Sequence, residues 1–196
     1  MLFSEHLNRK DNIIIVAIDL LDQVGVQGMT TKEIAKRQNI TEPAIYRQFS
    51  GKKEIILAIL QRFSEFDQSI FNTVIEQKMK CIDGIRYFMS TYSNYYQSYP
   101  QISTVMLSYD MFRYDDEANE KMKTIIYQKY KFIEQIIQKG QRSNEFSKDI
   151  CSEDAAEMIL GILFSVTYRW KHEECNFSLK EKLSRVLEQL ICSWIV

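Results

Sequence analysis

The sequence predicts an all-α protein, and three observations predict it. Only two prolines and six glycines occur among 196 residues, so few positions break a helix. Good helix formers such as Leu, Lys, Glu and Gln are abundant. Apolar residues recur at the spacing of one helix face along most of the chain. We therefore expect about nine helices: a three-helix unit in residues 1–52, joined by a long helix to a larger bundle in residues 53–196.

The first helix is predicted by an apolar face that ends at a glycine. The helix should run from about residue 5 to Gln23 or Val24, with Gly25 just beyond it. Glycine commonly ends a helix because it takes a positive φ without steric cost. The residues that form the apolar face are Ile14, Ala17, Ile18, Leu21 and Val24.

A second, short helix is predicted over Thr31–Gln38. Thr30 is followed three positions later by Glu33, which is the pattern of a capping box at a helix N-terminus. Asn39 is expected to end this helix in the left-handed conformation, which Asn adopts more readily than most residues. Ile40 then fills the space between this helix and the next.

A third short helix is predicted over Glu42–Gln48. Thr41 is a good N-cap residue, and Pro43 falls in the first turn, where its missing N–H has no cost. Helices this short are marginal alone, so other parts of the chain must stabilise both of them. The residues expected to form their shared core are Ile34, Ala35, Ile40, Ile45 and Phe49.

The rest of the chain predicts six further helices. Pro100 ends one of them, Gly140 is expected to break another near its end, and Ser152 and Ser178 are expected N-caps. The expected ranges are 52–80, 84–99, 101–112, 118–142, 152–172 and 178 to near the C-terminus.

The charge of the chain is unevenly distributed. The whole chain has a net charge of −1 and a pI of about 6.2, which argues against a protein coated with nucleic acid. Residues 32–53 hold a local net charge of +4, which leaves −5 for the remainder. The positive charge is therefore concentrated on the short helices, at Lys32, Lys36, Arg37, Arg47, Lys52 and Lys53.

Other features favour a cytoplasmic protein without a membrane segment. The most apolar stretch, residues 158–168, is too short to span a bilayer, and the N-terminus has no apolar signal-peptide region. The cysteines are far apart, as expected of free thiols in a reducing compartment; they are Cys81, Cys151, Cys175 and Cys192.

Two short helices joined by a tight turn form a helix-turn-helix. The arrangement is useful if the second helix must protrude into a narrow space. The major groove of DNA, about 12 Å wide, admits one α-helix. The turn alone leaves a second interpretation open, in which these helices are ordinary bundle connections.

The N-terminal residues resemble the DNA-binding domain of the TetR/AcrR transcriptional regulators. The matching string is IIIVAIDLLDQVGVQGMTTKEIAKRQNITEPAIYRQFSGKKEII, which ends at residue 56. Asn39 departs from the family pattern, which usually has Gly there. Beyond this region the resemblance rests on length, helix pattern and the stretch GILFSVTYRW.

The resemblance implies that the third helix lies in the major groove. It implies phosphate contacts from Thr31, Tyr46 and Lys52, and base contacts from Thr41, Glu42, Pro43, Ala44 and Arg47. Alternatives stay open for single residues. Arg47 could bind phosphate, Glu42 could only complement the helix dipole, and Tyr46 could be packed.

A homodimer is also expected, because two units about 34–36 Å apart meet successive major grooves of one operator. The last two helices carry apolar stripes suited to a four-helix interface. The alternative is that the stripes belong to the core. The candidate residues are Leu160, Phe164, Thr167, Leu183, Leu187, Leu190 and Trp194.

The resemblance implies a small-molecule pocket among the middle helices, and the residues there favour a hydrophobic or aromatic effector. Repression released by that effector is the family's usual behaviour. The alternative for most of these aromatic side chains is the core. The candidates are Phe88, Tyr92, Tyr95, Tyr99, Met106, Phe112, Tyr127, Tyr130, Phe164 and Tyr168.

An enzyme is not expected. A helical di-iron site needs Glu-x-x-His pairs, but only His6 and His172 occur, and neither has a Glu three residues before it. His172 and Cys175 have one zinc-like spacing without a second pair. No catalytic residue, metal or cofactor is therefore expected. The other function left open is a helical dimeric adaptor that uses the same motif to bind protein.

Overall fold

The computed structural model describes residues 8–113 and 115–195, except the side chain of residue 109, and it confirms the all-α prediction. Within this part of the chain there are nine α-helices, two short 3-10 segments (Pro100–Ile102 and Tyr109–Phe112) and one isolated β-bridge. None of these helices has the length and apolar character needed to cross a bilayer. The helices are α1 (Arg9–Gly28), α2 (Thr31–Arg37), α3 (Glu42–Tyr46), α4 (Lys52–Glu76), α5 (Cys81–Ser98), α6 (Ser103–Leu107), α7 (Asp116–Arg142), α8 (Ser152–His172) and α9 (Leu179–Ile191).

The first helix begins at a cap that the sequence analysis missed. The Asn8 side chain accepts a hydrogen bond from the Asp11 amide at 3.0 Å, and Asp11 accepts in return from the Asn8 amide at 3.3 Å. The predicted start near residue 5 lies outside the described residues. Gly25 takes φ +67°, which confirms the positive φ predicted there, but the chain then adds a further turn to Gly28.

The turn between α2 and α3 and the N-cap position of α3 are as predicted, but the N-cap of α3 lacks a side-chain hydrogen bond. Thr30 accepts from the Glu33 amide at 3.1 Å, and Asn39 takes φ +52°. Thr41 is the N-cap residue of α3 as predicted, but its hydroxyl makes no capping hydrogen bond. Pro43 has no N–H to offer, and the Ala44 amide already donates to the Thr41 carbonyl at 2.9 Å.

The long helices differ from the prediction at two glycines. Helix α5 begins at Cys81, three residues before Gly84. The predicted break near Gly140 is wrong, because α7 continues to Arg142. Gly140 is required for packing instead: a Cβ there would lie 2.3 Å from the Phe146 ring. The predicted helix over 101–112 is α6 flanked by the two 3-10 segments.

The small core predicted for the first three helices is largely confirmed. Ile34, Ala35, Ile45 and Phe49 are buried, and Ile40 is half-buried against the same cluster. Fully burying an apolar side chain of this size is worth about 1.5–3 kcal/mol. Because α3 has only five residues, this burial rather than intrinsic helix propensity holds it in place.

A charged group lies in the middle of the larger bundle. Lys129 of α7 and Tyr92 of α5 both donate hydrogen bonds to the Asp67 carboxylate of α4, and all three are buried. The Lys129 amine also lies 4.4 Å from the centroid of the Phe63 ring. Burial raises the pKa of Asp67 and lowers the pKa of Lys129, while their attraction opposes both shifts. The pair therefore links α4, α5 and α7 at a site that water does not reach.

Replacing Lys129 with Met should lower the free energy of unfolding by about 3–5 kcal/mol, because it leaves a buried carboxylate without its counter-charge. Urea denaturation measures this. The double variant Asp67→Leu with Lys129→Met should recover part of the loss, since only the Tyr92 hydroxyl then lacks its partner. Lys123→Met, at an exposed position of the same helix, is the control. Equal stability of Lys129→Met and the native protein would contradict the burial of this pair.

Candidate functional site

The exposed face of α3 is the first part of the candidate site. Thr41, Pro43, Tyr46 and Arg47 are exposed, and Tyr46 keeps 52% of its surface accessible although it is aromatic. Ile45 on the opposite face is fully buried. The short helix therefore presents a polar and aromatic edge to solvent while its apolar edge anchors it.

Ala44 is not part of that exposed edge. It is only 7% exposed, so little of its methyl group is accessible, and its contact with a base stays a prediction. In a helix of five residues the buried side must include every position that points toward the supporting helices. The exposed base-contact candidates are thus Thr41, Pro43 and Arg47, with Glu42 half-buried beside them.

Three polar side chains lie close together: Thr31 at the start of α2, Glu42 at the start of α3 and Tyr46 at the end of α3. The Thr31 hydroxyl donates to Glu42 Oε1 at 2.6 Å and lies 3.5 Å from the Tyr46 hydroxyl. The two predicted phosphate contacts, Thr31 and Tyr46, are thus neighbours. The hydroxyl hydrogen of Thr31 is already used by Glu42, whereas the Tyr46 hydroxyl has no other hydrogen bond in the described part of the chain.

The two lysines at the start of α4 both contact polar groups of the same chain. The Lys52 amine donates to the Val26 carbonyl in the last turn of α1, and burial lowers its pKa. Lys53 lies 3.2 Å from Asp115 and 3.0 Å from Glu117, which ties α4 to the start of α7. Lys52 therefore holds the last turn of α1, and its contact with phosphate stays a prediction.

Further cations surround α3 without strong partners. Lys32 and Lys36 are exposed on α2, and Arg37 lies 3.7 Å from Glu33, a long contact for an ion pair. The Lys10 amine lies 4.9 Å from the centroid of the Phe49 ring. Together with Arg47 these groups give the surface around α3 the positive charge that the sequence predicted.

The aromatic residues of α5 form a packed cluster inside the bundle. Phe88 and Tyr92 are fully buried, with ring centroids 4.8 Å apart, and Tyr95 packs on Phe66 at 4.1 Å. Tyr96, which was not among the predicted pocket residues, is fully buried and donates to the Met106 sulfur at 3.4 Å. Its spacing of four from Tyr92 was the available signal.

The other predicted pocket residues do not converge on that cluster. Tyr127, Phe164 and Tyr168 are 61%, 41% and 57% exposed, so their predicted place in one central pocket is wrong. Tyr130 lines a surface groove between α7 and α8, where its hydroxyl donates to Glu157 at 2.7 Å. Phe112 lines a separate cleft beside the C-terminal end of α1. The ten candidates are thus divided among several places, because helical spacing gives a face but not its neighbour.

Most of the predicted dimer residues belong to the core. Leu183 and Leu187 are buried because α9 packs against α5, and Thr167, Leu160 and Trp194 are also buried. Their predicted role in an interface between subunits is therefore wrong. Among the candidates only Phe164 is exposed, and Leu190 is half-buried.

Helix α8 nevertheless has an exposed apolar face, which we call the α8 face and define as Met158, Gly161, Phe164, Ser165 and Tyr168. Met158, Phe164 and Tyr168 are each at least 41% exposed, and the rings of the last two lie 6.4 Å apart. A Cβ added at Gly161 would meet nothing within 4 Å. A glycine in mid-helix costs about 0.5–1 kcal/mol relative to Ala. Because the space around Gly161 is open, packing within this chain does not explain why a glycine stands there.

Helix α1 is attached to the bundle by three aspartates. Asp11 lies 3.3 Å from Arg62 of α4, and Asp19 accepts from the Tyr99 hydroxyl at 3.0 Å. Asp22 lies 2.9 Å from Lys171 of α8 and also accepts from Thr104. This joint was not predicted, although spacings of eight and three place the aspartates on one side of a helix.

Both parts of the chain match models of known protein families. Residues 13–59 match the family model described as bacterial regulatory proteins, tetR family. Residues 60–193 match the model described as YsiA-like protein, C-terminal region. The two matches meet within α4, the helix that leads from the short helices into the bundle.

Known proteins resemble the chain in sequence or in fold. The tetracycline repressor protein class A from transposon 1721 of Escherichia coli is 37% identical over 51 residues, which are 26% of this chain and 24% of that repressor. The transcriptional regulator FadR from Bacillus subtilis, solved with stearoyl-CoA, has a TM-score of 0.77 at 20% identity and covers 92% of this chain and 96% of its own. AibR, solved with isovaleryl coenzyme A and operator DNA, has a TM-score of 0.77 at 13% identity, covering 93% and 97%. The TM-scores show that both share the fold of this chain, and at these identities they show the fold alone.

Replacing Lys52 with Met should lower the free energy of unfolding by about 1–2 kcal/mol, because the Val26 carbonyl loses a charged hydrogen-bond donor. Thermal or urea denaturation measures the change. Lys32→Met, at an exposed position of α2, should leave stability unchanged. If both variants were as stable as the native protein, Lys52 would have no structural role.

Proposed function

This chain belongs to the TetR family of bacterial regulatory proteins, and from that premise we propose that it is a ligand-responsive regulator that binds duplex DNA as a dimer. The proposed DNA-binding unit is residues 1–52 and the proposed effector and dimerisation unit is residues 53–196. The observation that carries the proposal is the exposed edge of α3, where Tyr46 and Arg47 stand out from a helix anchored by Ile45. Such an edge suits the major groove, which accepts one helix.

The exposed groups divide into those that position the helix and those that specify sequence. Tyr46 is the proposed phosphate donor, because its hydroxyl is exposed and its rigid ring fixes the direction of the bond. Arg47 is the proposed base contact, since a guanidinium can donate twice to guanine. Thr41 and Pro43 lie beside it on the same exposed edge.

Glu42 has a different proposed role. Its carboxylate holds the Thr31 hydroxyl at 2.6 Å and fixes α2 against α3. While that bond exists, Thr31 cannot donate to a phosphate, so the Thr31 contact requires Glu42 to turn away. A carboxylate close to the DNA backbone also repels it, which lowers affinity for any sequence.

Dimerisation is proposed to occur through the α8 face. An exposed stripe of Met158, Phe164 and Tyr168 is costly in water unless another surface covers it. Gly161 and Ser165 are small and lie between these side chains, which lets a second helix approach closely. Two copies of one helix face form a two-fold symmetric contact, and a two-fold dimer suits a two-fold symmetric operator.

The proposed effector is a hydrophobic or aromatic small molecule, and repression that the effector releases is the proposed mode of action. The aromatic lining of α5 supports the effector class. An effector acts only through different affinities for two arrangements of the DNA-binding units. The three aspartate contacts of α1 define one such arrangement in this structure.

Replacing Tyr46 with Phe should weaken binding to a random-sequence duplex about tenfold or more, because a hydrogen bond to a charged phosphate is lost in each subunit. The salt dependence of binding should stay the same, since a phenol releases no counterion. Fluorescence anisotropy over a salt series measures both quantities. Tyr127→Phe, at an exposed tyrosine of α7, is the control. Unchanged affinity of Tyr46→Phe, or binding insensitive to salt in the native protein, would contradict DNA binding through α3.

Replacing Phe164 with Glu should convert the dimer to a monomer, because a charge at the centre of the α8 face would be buried without a partner. Analytical ultracentrifugation measures the mass. Ile75→Glu, at a 65% exposed position of α4, should leave the dimer intact. A native protein that stays monomeric at micromolar concentration, or a dimeric Phe164→Glu variant, would contradict this interface.

A further inference from the structure

The exposed side of α8 changes in chemistry along the helix. The first two turns expose carboxylates, the middle exposes the α8 face, and the last turn exposes a guanidinium and an imidazole. Lys171, the remaining cation of the last turn, is directed to Asp22 instead. The titratable groups on the exposed side are Glu153, Asp154 and Glu157 before the α8 face, and Arg169 and His172 after its last residue.

One of these charges is not explained by the helix itself. Acidic side chains in the first turn and basic ones in the last turn complement the helix macrodipole, which accounts for Glu153, Asp154 and the last-turn cations. Glu157 lies one turn further in, where that effect has fallen off. Its Oε2 accepts from the Tyr130 hydroxyl at 2.7 Å, while Oε1 makes no hydrogen bond within the described residues. That oxygen is available to a partner.

Arg169 is held in a similar way at the other end of the α8 face. Its guanidinium carbon lies 4.7 Å from the centroid of the Phe177 ring, and Nη1 lies 3.2 Å from Glu173. Nε and Nη2 make no hydrogen bond to the residues that the structure describes, and the side chain stays 48% exposed. Glu157 and Arg169 are therefore already positioned in the single chain, so little side-chain entropy is lost when they form a further contact.

Residues of α8 with complementary properties lie at equal distances from the level of Leu163. Glu157 comes six residues before Leu163, and Arg169 comes six residues after it. Gly161 and Ser165, both small, come two residues before and two residues after. At a rise of about 1.5 Å per residue, Glu157 and Arg169 each lie about 9 Å from that level along the helix axis. The exposed side of α8 is thus complementary to a reversed copy of itself.

The orientation of two paired α8 helices follows from these positions. In an antiparallel pair that crosses at the level of Leu163, Glu157 of each copy faces Arg169 of the other, and the two-fold symmetry forms this contact twice. In a parallel pair, Glu157 faces a second Glu157 and Arg169 faces a second Arg169. Like charges placed together oppose binding, so the charges select the antiparallel pair.

The shape of the exposed side supports the same crossing. The rings of Phe164, Tyr168 and His172 follow one another at intervals of four residues, with centroids 6.4 and 6.5 Å apart and nearly parallel planes. The neighbouring row holds only Gly161 and Ser165 between its two charged ends. Helices pack by placing the ridges of one into the grooves of the other. The row of rings in each copy therefore fits the row of small residues in the other.

We propose that the α8 face binds a second copy of this chain with the two α8 helices antiparallel, crossing at the level of Leu163, and with Glu157 of each copy paired to Arg169 of the other. This inference rests on the proposed function, which supplies the dimer, and it adds the orientation, the register and the charged contacts. The charges also select the partner, since a related chain without a base opposite Glu157 leaves that carboxylate uncompensated.

Reversing the two charges one at a time and then together tests the pairing. Glu157→Arg and Arg169→Glu should each raise the Kd of the dimer about tenfold or more, because two attractive contacts become two repulsive ones. The double variant restores opposite charges and should return to within about threefold of the native Kd. Sedimentation velocity over a concentration series measures these values. Glu76→Arg and Arg113→Glu, at exposed positions of α4 and of the segment before α7, are the matched controls.

A mixture of the two single variants separates loss of pairing from loss of folding. In a mixed dimer one copy supplies two bases and the other supplies two acids, so both contacts are attractive again. The equimolar mixture should therefore dimerise with a Kd close to the native value, although neither variant does so alone. Added salt should tighten the dimers of the single variants, since screening weakens the repulsion between like charges.

A single variant that dimerises as tightly as the native chain would overturn the proposal, and so would a double variant or a mixture that does not recover. If Phe164→Glu is monomeric in that case, the α8 face keeps its proposed role and only the antiparallel register is wrong. A native chain that stays monomeric would contradict the proposed dimer and this inference together.

Discussion

The burial of Ile45 and Phe49 is the constraint on which the candidate DNA-binding surface depends. Helix α3 has five residues and no side-chain cap, so it has no stability of its own. Its apolar side is held by the supporting helices, and only that support leaves Tyr46 and Arg47 standing out into solvent. Helix α1 carries a second constraint, because its aspartates attach the same unit to the bundle. One helix thus both supports the exposed edge and sets its position.

Local features could be predicted from the sequence because short-range chemistry decides them. Gly25 and Asn39 take positive φ as predicted, and Thr30 accepts the expected hydrogen bond from Glu33. Helix types followed from spacing because an apolar face needs cover wherever the helix lies. Exposure of Tyr46, one of the two alternatives that the sequence allows, is consistent with the burial of its neighbour Ile45 on the other side of the same short helix.

Partnerships between distant helices could not be predicted in the same way. The spacing of Leu183 and Leu187 indicated a buried face of α9. That face is covered by α5 of the same chain rather than by a second subunit. The same ambiguity left Phe164 a candidate for both the pocket and the subunit interface, and it is exposed on α8. Gly140 predicted a break, because nothing local shows that Phe146 packs on it. Nothing local predicts that Lys52 donates to the Val26 carbonyl of α1.

The most direct test of the central claim is selection of bound duplexes from a random pool by the native protein. A dimer that places α3 of each subunit in successive major grooves should enrich a two-fold symmetric sequence, with half-sites centred about 10–10.5 base pairs apart or at a multiple of that spacing. A pool that shows no enrichment, or a consensus without two-fold symmetry, would contradict the account that the exposed edge of α3 binds DNA in pairs.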